Sequence, residues 1–165
     1  MSDLPADATA LVVTASNRAS AGVYDDSSGE FAEEALRELG FGVRRVVLPD
    51  DEAQLADALR AGVAEGRDLI LTTGGTGLTP TDRTPEATRT VIERDAPGIA
   101  DAVRRAGSDK VPTAVLSRGI AGVAGRSLIV NLPGSRGGVK DGLAVLRPLV
   151  GHIVSQLRGG DHPRG

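Results

Sequence analysis

Short β-branched apolar runs alternate with segments of helical periodicity through the first half of this chain, and that alternation narrows the fold more than any other feature. Residues 10–16 read ALVVTAS, 43–48 VRRVVL and 68–72 DLILT. Each is short and apolar enough for a strand of a sheet buried on both faces. Between them, Phe31, Ala35, Leu36 and Leu39, and then Leu55, Ala58, Leu59 and Val63, recur at helical spacing. Gly40 follows the first helix as a C-terminal stop. Strand–helix–strand repeats of this kind demand right-handed crossovers, hence an α/β fold: a mostly parallel sheet with helices on both faces.

The second half is less regular. Thr84-Pro85-Glu86 is a helix start in which Thr84 caps, Pro85 fills the first turn and Glu86 complements the dipole. A further helix begins at Pro97. Residues 113–117 and 127–131 read as strands, and 121–125 as an extension of one of them or a turn. A last helix follows Pro133-Gly134-Ser135, with Val139, Leu143, Leu146, Val150, Ile153 and Leu157 on one face. Pro148 kinks it or lies at a turn. Neither a repeat nor a linker divides the 165 residues, so a single domain over 1–165 is expected, with flexible ends at 1–8 and 159–165.

Composition removes several function classes. The chain has no cysteine, so disulfides and thiolate metal sites are excluded. Net charge is −3 with both signs interspersed, which gives no basic block for nucleic acid or a membrane surface. No apolar run approaches the roughly 20 residues that span a bilayer, and the first residues lack a signal-peptide pattern. A cytoplasmic protein is expected. His152 and His162 have no partner at metal-ligand spacing and read as structural or exposed.

In parallel α/β sheets, ligands bind outside the carboxyl ends of the strands. The polar and glycine-rich loops follow Ser16, Leu48, Thr72, Ser117 and Asn131, at those ends. The sharpest is Thr72-Thr73-Gly74-Gly75-Thr76-Gly77, whose glycines let successive N–H groups approach an anion. It is neither a Walker A loop nor a dinucleotide fingerprint. Alone it reads equally well as a tight turn. Asp82 follows in the same loop. A carboxylate beside a phosphate cradle makes sense when Mg²⁺ bridges the two; the plain alternative is a cap for the next helix. Asp50, Asp51 and Glu52 open a helix, which by itself is the ordinary dipole pattern. Ser117-Arg118 can hold a phosphate or simply end a strand. Pro133-Gly134-Ser135 can present helix N–H groups to a phosphate, with Arg136 and Lys140 adding charge or merely facing solvent. Tyr24 covers a ligand ring or packs.

The segment from Gly74 to Thr88, GGTGLTPTDRTPEAT, resembles the signature of the Mog/MoaB molybdopterin-binding family. The first loop, with Ser16-Asn17-Arg18-Ala19-Ser20 and Gly22-Val23-Tyr24-Asp25-Asp26, is similar to that family's, as are Pro49-Asp50-Asp51, residues 112–118 and Asn131-Leu132-Pro133-Gly134-Ser135. The resemblance spans nearly the whole chain. It departs at Asn17 (often Asp), Thr81 (often Arg) and Arg136 (often Pro).

The resemblance implies a three-layer α/β/α fold, commonly a homotrimer, that transfers AMP from Mg·ATP to molybdopterin and releases pyrophosphate. The product passes to a molybdenum-insertion protein. It makes Asp50 and Asp82 the functional acids and Mg²⁺ ligands. Ser117 becomes a pterin contact. Thr73, Gly74, Gly75, Thr76, Gly77, Arg118, Pro133, Gly134, Ser135, Ser16 and Arg18 become binding residues. A phosphate nucleophile is already ionised near neutral pH and needs no general base. Two alternatives stay open: a non-catalytic molybdopterin carrier or scaffold, and a hydrolase on the same fold.

Overall fold

A computed structural model describes residues 4–160. One six-stranded sheet runs through it in the order β2-β1-β3-β6-β5-β4. Strands β1 (Thr9–Ala15), β2 (Gly42–Leu48), β3 (Leu69–Thr73) and β6 (Ser127–Leu132) are parallel. The edge strands β5 (Ala121–Ala124) and β4 (Arg94–Asp95) are antiparallel. The expected mostly parallel sheet is therefore present as the four-stranded part.

The strands look apolar throughout because both faces are covered. Val12, Leu71 and Val130 point to one side, where α2 (Ser27–Leu39), α5 (Pro97–Ser108), α6 (Arg136–Leu146) and α7 (Val150–Leu157) pack. Leu11, Val13, Ile70 and Ile129 point to the other, against α3 (Glu52–Ala64) and α4 (Thr84–Arg89). This is the three-layer arrangement, and period-two alternation along each strand feeds both cores at once. A four-residue helix, α1 (Asn17–Ser20), follows β1.

Three expectations change. Residues 113–117 are not a strand: Pro112–Leu116 form a 3₁₀ turn with Val115 and Leu116 exposed. Thr, Val and Leu suit a strand only where a neighbour covers them, and here none does. The 121–125 segment instead supplies β5, hairpinned to β6. Thr84 does not cap α4. It is the first helical residue, fully buried, and Arg83 occupies the cap position without a side-chain bond. Contacts also reach into both end segments. Leu4 packs on the core, and Asp7 pairs with Arg158 at 2.8 Å. The amides of Gly159 and Gly160 bond back to Gln156 and Ser155. Residues 1–3 and 161–165, including His162, lie outside the described residues. Pro148 falls in the break between α6 and α7, and His152 is exposed on α7.

The path reverses at β1. Strand β2 lies on one side of it and β3 on the other, with α2 and α3 crossing on opposite faces. The loops after β1 and β3 therefore part and leave a crevice at the carboxyl ends.

Candidate active site

Four strand ends deliver the candidate residues to this crevice. After β3 the chain turns through Gly74 and Gly75, at φ +89° and +67°. Side-chain-bearing residues rarely adopt these angles. Space is also lacking: a Cβ on Gly74 would stand 2.3 Å from the Ala15 carbonyl oxygen, and one on Gly75 2.2 Å from Thr84 Oγ1. Gly75→Val should therefore cost more than ligand affinity. A β-branched residue in the left-handed region adds about 1–3 kcal/mol of strain, so both a melting-temperature drop and lost binding by calorimetry are expected. Unchanged binding would reduce Gly75 to a turn residue.

The acids lie at the two ends of this loop. A Cβ on Gly75 would also come within 3.3 Å of Asp50 Oδ1, and one on Gly77 within 2.8 Å of Asp82 Oδ2. Asn17, one of the three departures, accepts the Asp50 amide N–H at 2.8 Å through its side-chain oxygen and so ties the first loop to the second. Among the described residues, two buried side-chain polar atoms have no hydrogen-bond partner: Asp50 Oδ1 and Thr84 Oγ1. Both flank Gly75. A buried polar atom without a partner costs about 1–3 kcal/mol, so two of them converging on one glycine is a chemical statement. Burial pushes the Asp50 carboxyl above its ordinary range; the Asn17 backbone N–H offsets part of that, and the Asp82 charge raises it further.

Asp82 does not cap α4. Its Oδ2 accepts the Thr79 amide at 3.1 Å, which folds the loop on itself and leaves the carboxylate beside Gly77. Asp51 and Glu52 have ordinary work: Asp51 caps α3 by accepting from Gln54 N–H, and Glu52 pairs with Arg83. Asp50, Asp82 and Thr84 offer only hard oxygen donors, which suits Mg²⁺. No group of three or more His, Cys, Asp or Glu able to hold a metal forms among the described residues. A cation here would therefore need phosphate oxygens to complete its shell.

Two cavities meet at the Gly134-Ser135 turn, which lines both. The larger, about 800 Å³ and mainly apolar, is bordered by Thr76, Gly77, Ser117, Pro133 and Lys140. The smaller, about 290 Å³ and more polar, is bordered by Ser16, Tyr24, Thr73, Gly74 and Arg136. Ser135 caps α6 by accepting from the Gly138 amide. A Cβ on Gly134 would be 3.2 Å from Gly74 Cα, so the two turns touch. Ser16 Oγ accepts from the Ala19 amide and lies 3.3 Å from the Tyr24 hydroxyl. Arg136 stacks over Phe31, 5.2 Å from the ring centre.

Three expected binding residues, Gly75, Arg18 and Arg118, line neither cavity, and neither do Asp50 and Asp82. Arg18 is exposed on α1. Arg118 spends its donors on the protein: Nε on the Gly77 carbonyl (2.8 Å), Nη1 on Glu86 (2.7 Å) and Nη2 on the Asp82 carbonyl (2.8 Å). It clamps the two ends of the 77–82 loop. Its hydrogen bonds hold the Glu86 carboxyl below the ordinary range.

Three other contributors escaped the reading from residue spacing. Asp26 caps α2 through the Gly29 amide and accepts from Thr14 and Arg45, both at 2.8 Å. Ser28 donates to the Gly134 carbonyl at 2.7 Å. Both line the smaller cavity. Their only signal was an acid ahead of Ser-Ser-Gly-Glu, the common N-cap pattern. Asn131, buried between the layers, donates to Thr72 and Thr88 and accepts from the Ile120 amide, fixing α4, and with it Thr84, against the sheet.

Known proteins resemble this chain in sequence and in fold. The family model described as "Probable molybdopterin binding domain" matches residues 11–152. A molybdenum cofactor biosynthesis bifunctional protein of Synechococcus elongatus is 38% identical over 154 residues; the match covers 93% of this chain and 48% of that protein. The chain thus spans about half the length of the bifunctional relatives it matches. A molybdopterin adenylyltransferase of Helicobacter pylori is also 38% identical, covering 90% of this chain and 86% of its own. The molybdopterin biosynthesis Mog protein of Mycobacterium ulcerans superposes with a TM-score of 0.87 at 50% identity, covering 91% and 99%. With the family model matching residues 11–152, and with relatives and a solved structure this similar over most of its length, the chain belongs to the molybdopterin-binding domain family.

Proposed function

We propose that this protein is a molybdopterin adenylyltransferase of molybdenum cofactor biosynthesis. The observation that carries the reading is the pair of cavities meeting at Gly134-Ser135, next to a glycine loop flanked by two unpartnered buried oxygens. Two ligands can abut there with their phosphates at one seam. The larger, mainly apolar cavity, with Ser117 on its wall, takes the pterin. The smaller, with Tyr24 and Gly74, takes the nucleotide.

The reaction is a substitution at phosphorus. A phosphate oxygen of molybdopterin bonds to the α-phosphorus of ATP, the bond from that phosphorus to the α–β bridging oxygen breaks, and pyrophosphate departs with the electron pair. Both reactants are anions, so the protein's task is alignment and charge neutralisation. The amides of Gly75, Thr76 and Gly77 and of the α6 N-terminus would serve that task; the Gly74 amide is already bonded to the Leu132 carbonyl at 3.2 Å. Asp50 and Asp82, with the Thr84 hydroxyl, would hold Mg²⁺ against the phosphates. That ion supplies neutralisation of the charge on the reacting groups. Arg118 and Asn131 keep the loop and Thr84 in place.

Incubation with Mg·ATP and molybdopterin tests the reading: adenylyl-molybdopterin and pyrophosphate are expected. Pterin binding without product would make the chain a carrier, and phosphate release without pterin a hydrolase. Asp82→Asn should slow transfer roughly a hundredfold with little change in melting, because an amide oxygen can still accept from Thr79. A variant turning over normally at low Mg²⁺ would remove Asp82 from the mechanism.

The same reading carries a homotrimer, a cytoplasmic setting and hand-over of product to a molybdenum-insertion protein. Exposed Val115 and Leu149 are surface that assembly could cover. Sedimentation should give about three times the 16.9 kDa chain mass; a stable monomer at micromolar concentration would refute the trimer.

A further inference from the structure

The larger cavity is mainly apolar, yet one acid lines it. Asp141, on α6, has a side chain only 12% exposed, and its Oδ1 accepts from Lys110 Nζ at 2.6 Å. Lys110 follows α5 and also lines the cavity. Removing a carboxylate from water is costly, and one exposed lysine repays that cost poorly. Arg104, another cation on the wall, is already bonded to the Gly119 carbonyl and to Asp101. The Lys110–Asp141 pair therefore stands as a donor beside two acceptor oxygens on an otherwise oily surface.

That order of groups has a specific complement. The pyrimidine edge of a 2-amino-4-oxo pteridine offers, in sequence, an acceptor (O4), a donor (N3–H) and a donor (the 2-amino group). Lysine answers the first and a carboxylate the other two in bidentate fashion. Spacing agrees. Asp141 lies five residues beyond Arg136, the first residue of α6, or about 7.5 Å along the axis at 1.5 Å per residue. A pterin whose phosphate meets the Ser135 turn would lie along α6 with its far edge near Asp141.

We propose that Lys110 and Asp141 read the pyrimidine edge of the pterin and determine the ring this cavity accepts. The inference rests on the larger cavity being the pterin site. It requires no new chemistry, only recognition.

The test varies the ring and the residue together. Equilibrium binding of a 6-substituted pterin phosphate is compared with that of its 2,4-dioxo counterpart, a lumazine, in which the 2-amino donor is an acceptor. The wild-type chain should prefer the pterin by roughly 10–100-fold, the value of one hydrogen bond to a charged group. Asp141→Asn presents one acceptor and one donor, matching the lumazine, so the preference should invert. Lys110→Met removes the partner of O4, which both rings carry; it should weaken both and leave their ratio unchanged. A purely structural ion pair predicts instead that both variants melt lower while the ring ratio stays at its wild-type value, and that result would overturn the proposal. So would a wild-type chain without ring preference, which decides the matter even if Asp141→Asn fails to fold. Molybdopterin itself is the separate control. If the wild-type chain does not bind it, the pterin reading of the cavity falls, and this inference with it. If it binds while the ring ratios ignore Asp141, only the inference falls.

Discussion

Arg158→Ala is expected to destabilise the fold by about 3–5 kcal/mol, the usual result of stranding a buried charge. The stranded group is Asp68, whose side chain is 3% exposed at the mouth of β3. Arg158, beyond α7, grips it with Nε and Nη2, both at 2.9 Å, and reaches Asp7 with Nη1 at 2.8 Å. Asp68 Oδ2 also accepts the Thr9 amide, so one carboxylate joins the starts of β1 and β3 to the end of the chain. These bonds drive the Arg158 guanidinium still further from deprotonation than an ordinary arginine. For a chain of this size the loss corresponds to a fall in melting temperature of roughly 6–20 °C. Adding Asp68→Asn to Arg158→Ala should recover much of it, because the uncompensated charge disappears. The check is a double-mutant cycle by denaturant titration. A single variant losing under about 1 kcal/mol would show that water replaces the arginine without penalty.

Asp50→Asn should have the largest effect on activity: about a thousandfold slower transfer, or roughly 4 kcal/mol of transition-state stabilisation. The expectation differs from Asp82→Asn because Asp50 Oδ1 has no hydrogen-bond partner while Asp82 is partly engaged by Thr79. Stability should move the other way. The Asp50 carboxyl is shifted upward by burial and by Asp82. A carboxyl raised in the folded state contributes stability below its unfolded value of about 3.8, and that contribution is lost as pH climbs through the folded value. At neutral pH the charged group is thus a cost in the free protein, and Asn removes it. The variant should melt at or above the parent without ligand, and gain less than the parent from Mg·ATP. Loss of stability together with normal turnover would place Asp50 in the scaffold.

These two sites divide the molecule as stability and function commonly do. The Arg158–Asp68 pair satisfies every buried charge it creates. The Asp50–Thr84 pair leaves oxygens without partners at the point where an ionic ligand would supply them. Unsatisfied atoms at a glycine loop are tolerable only if binding repays them.

Strands β1, β2, β3 and β6 and helices α2, α3 and α6 follow from periodicity and composition, because short-range spacing decides which face a residue shows. The order of the loops, and the presence of Asp50 and Asp82 in them, was equally legible. The 3₁₀ turn at 112–116 was not: its residues suit a strand, and only the lack of a covering neighbour decides otherwise. Arg118 looked like a phosphate ligand, yet Glu86, 32 positions away, and the Gly77 and Asp82 carbonyls claim it. The unpartnered Thr84 hydroxyl, the Ser28–Gly134 bond and the Lys110–Asp141 pair likewise depend on residues far apart in the chain. Local sequence determined the elements and the chemical groups available at the strand ends. Tertiary packing decided which of those groups are already satisfied by the protein and which are left for a ligand, because burial and hydrogen-bond satisfaction depend on what the rest of the chain brings alongside.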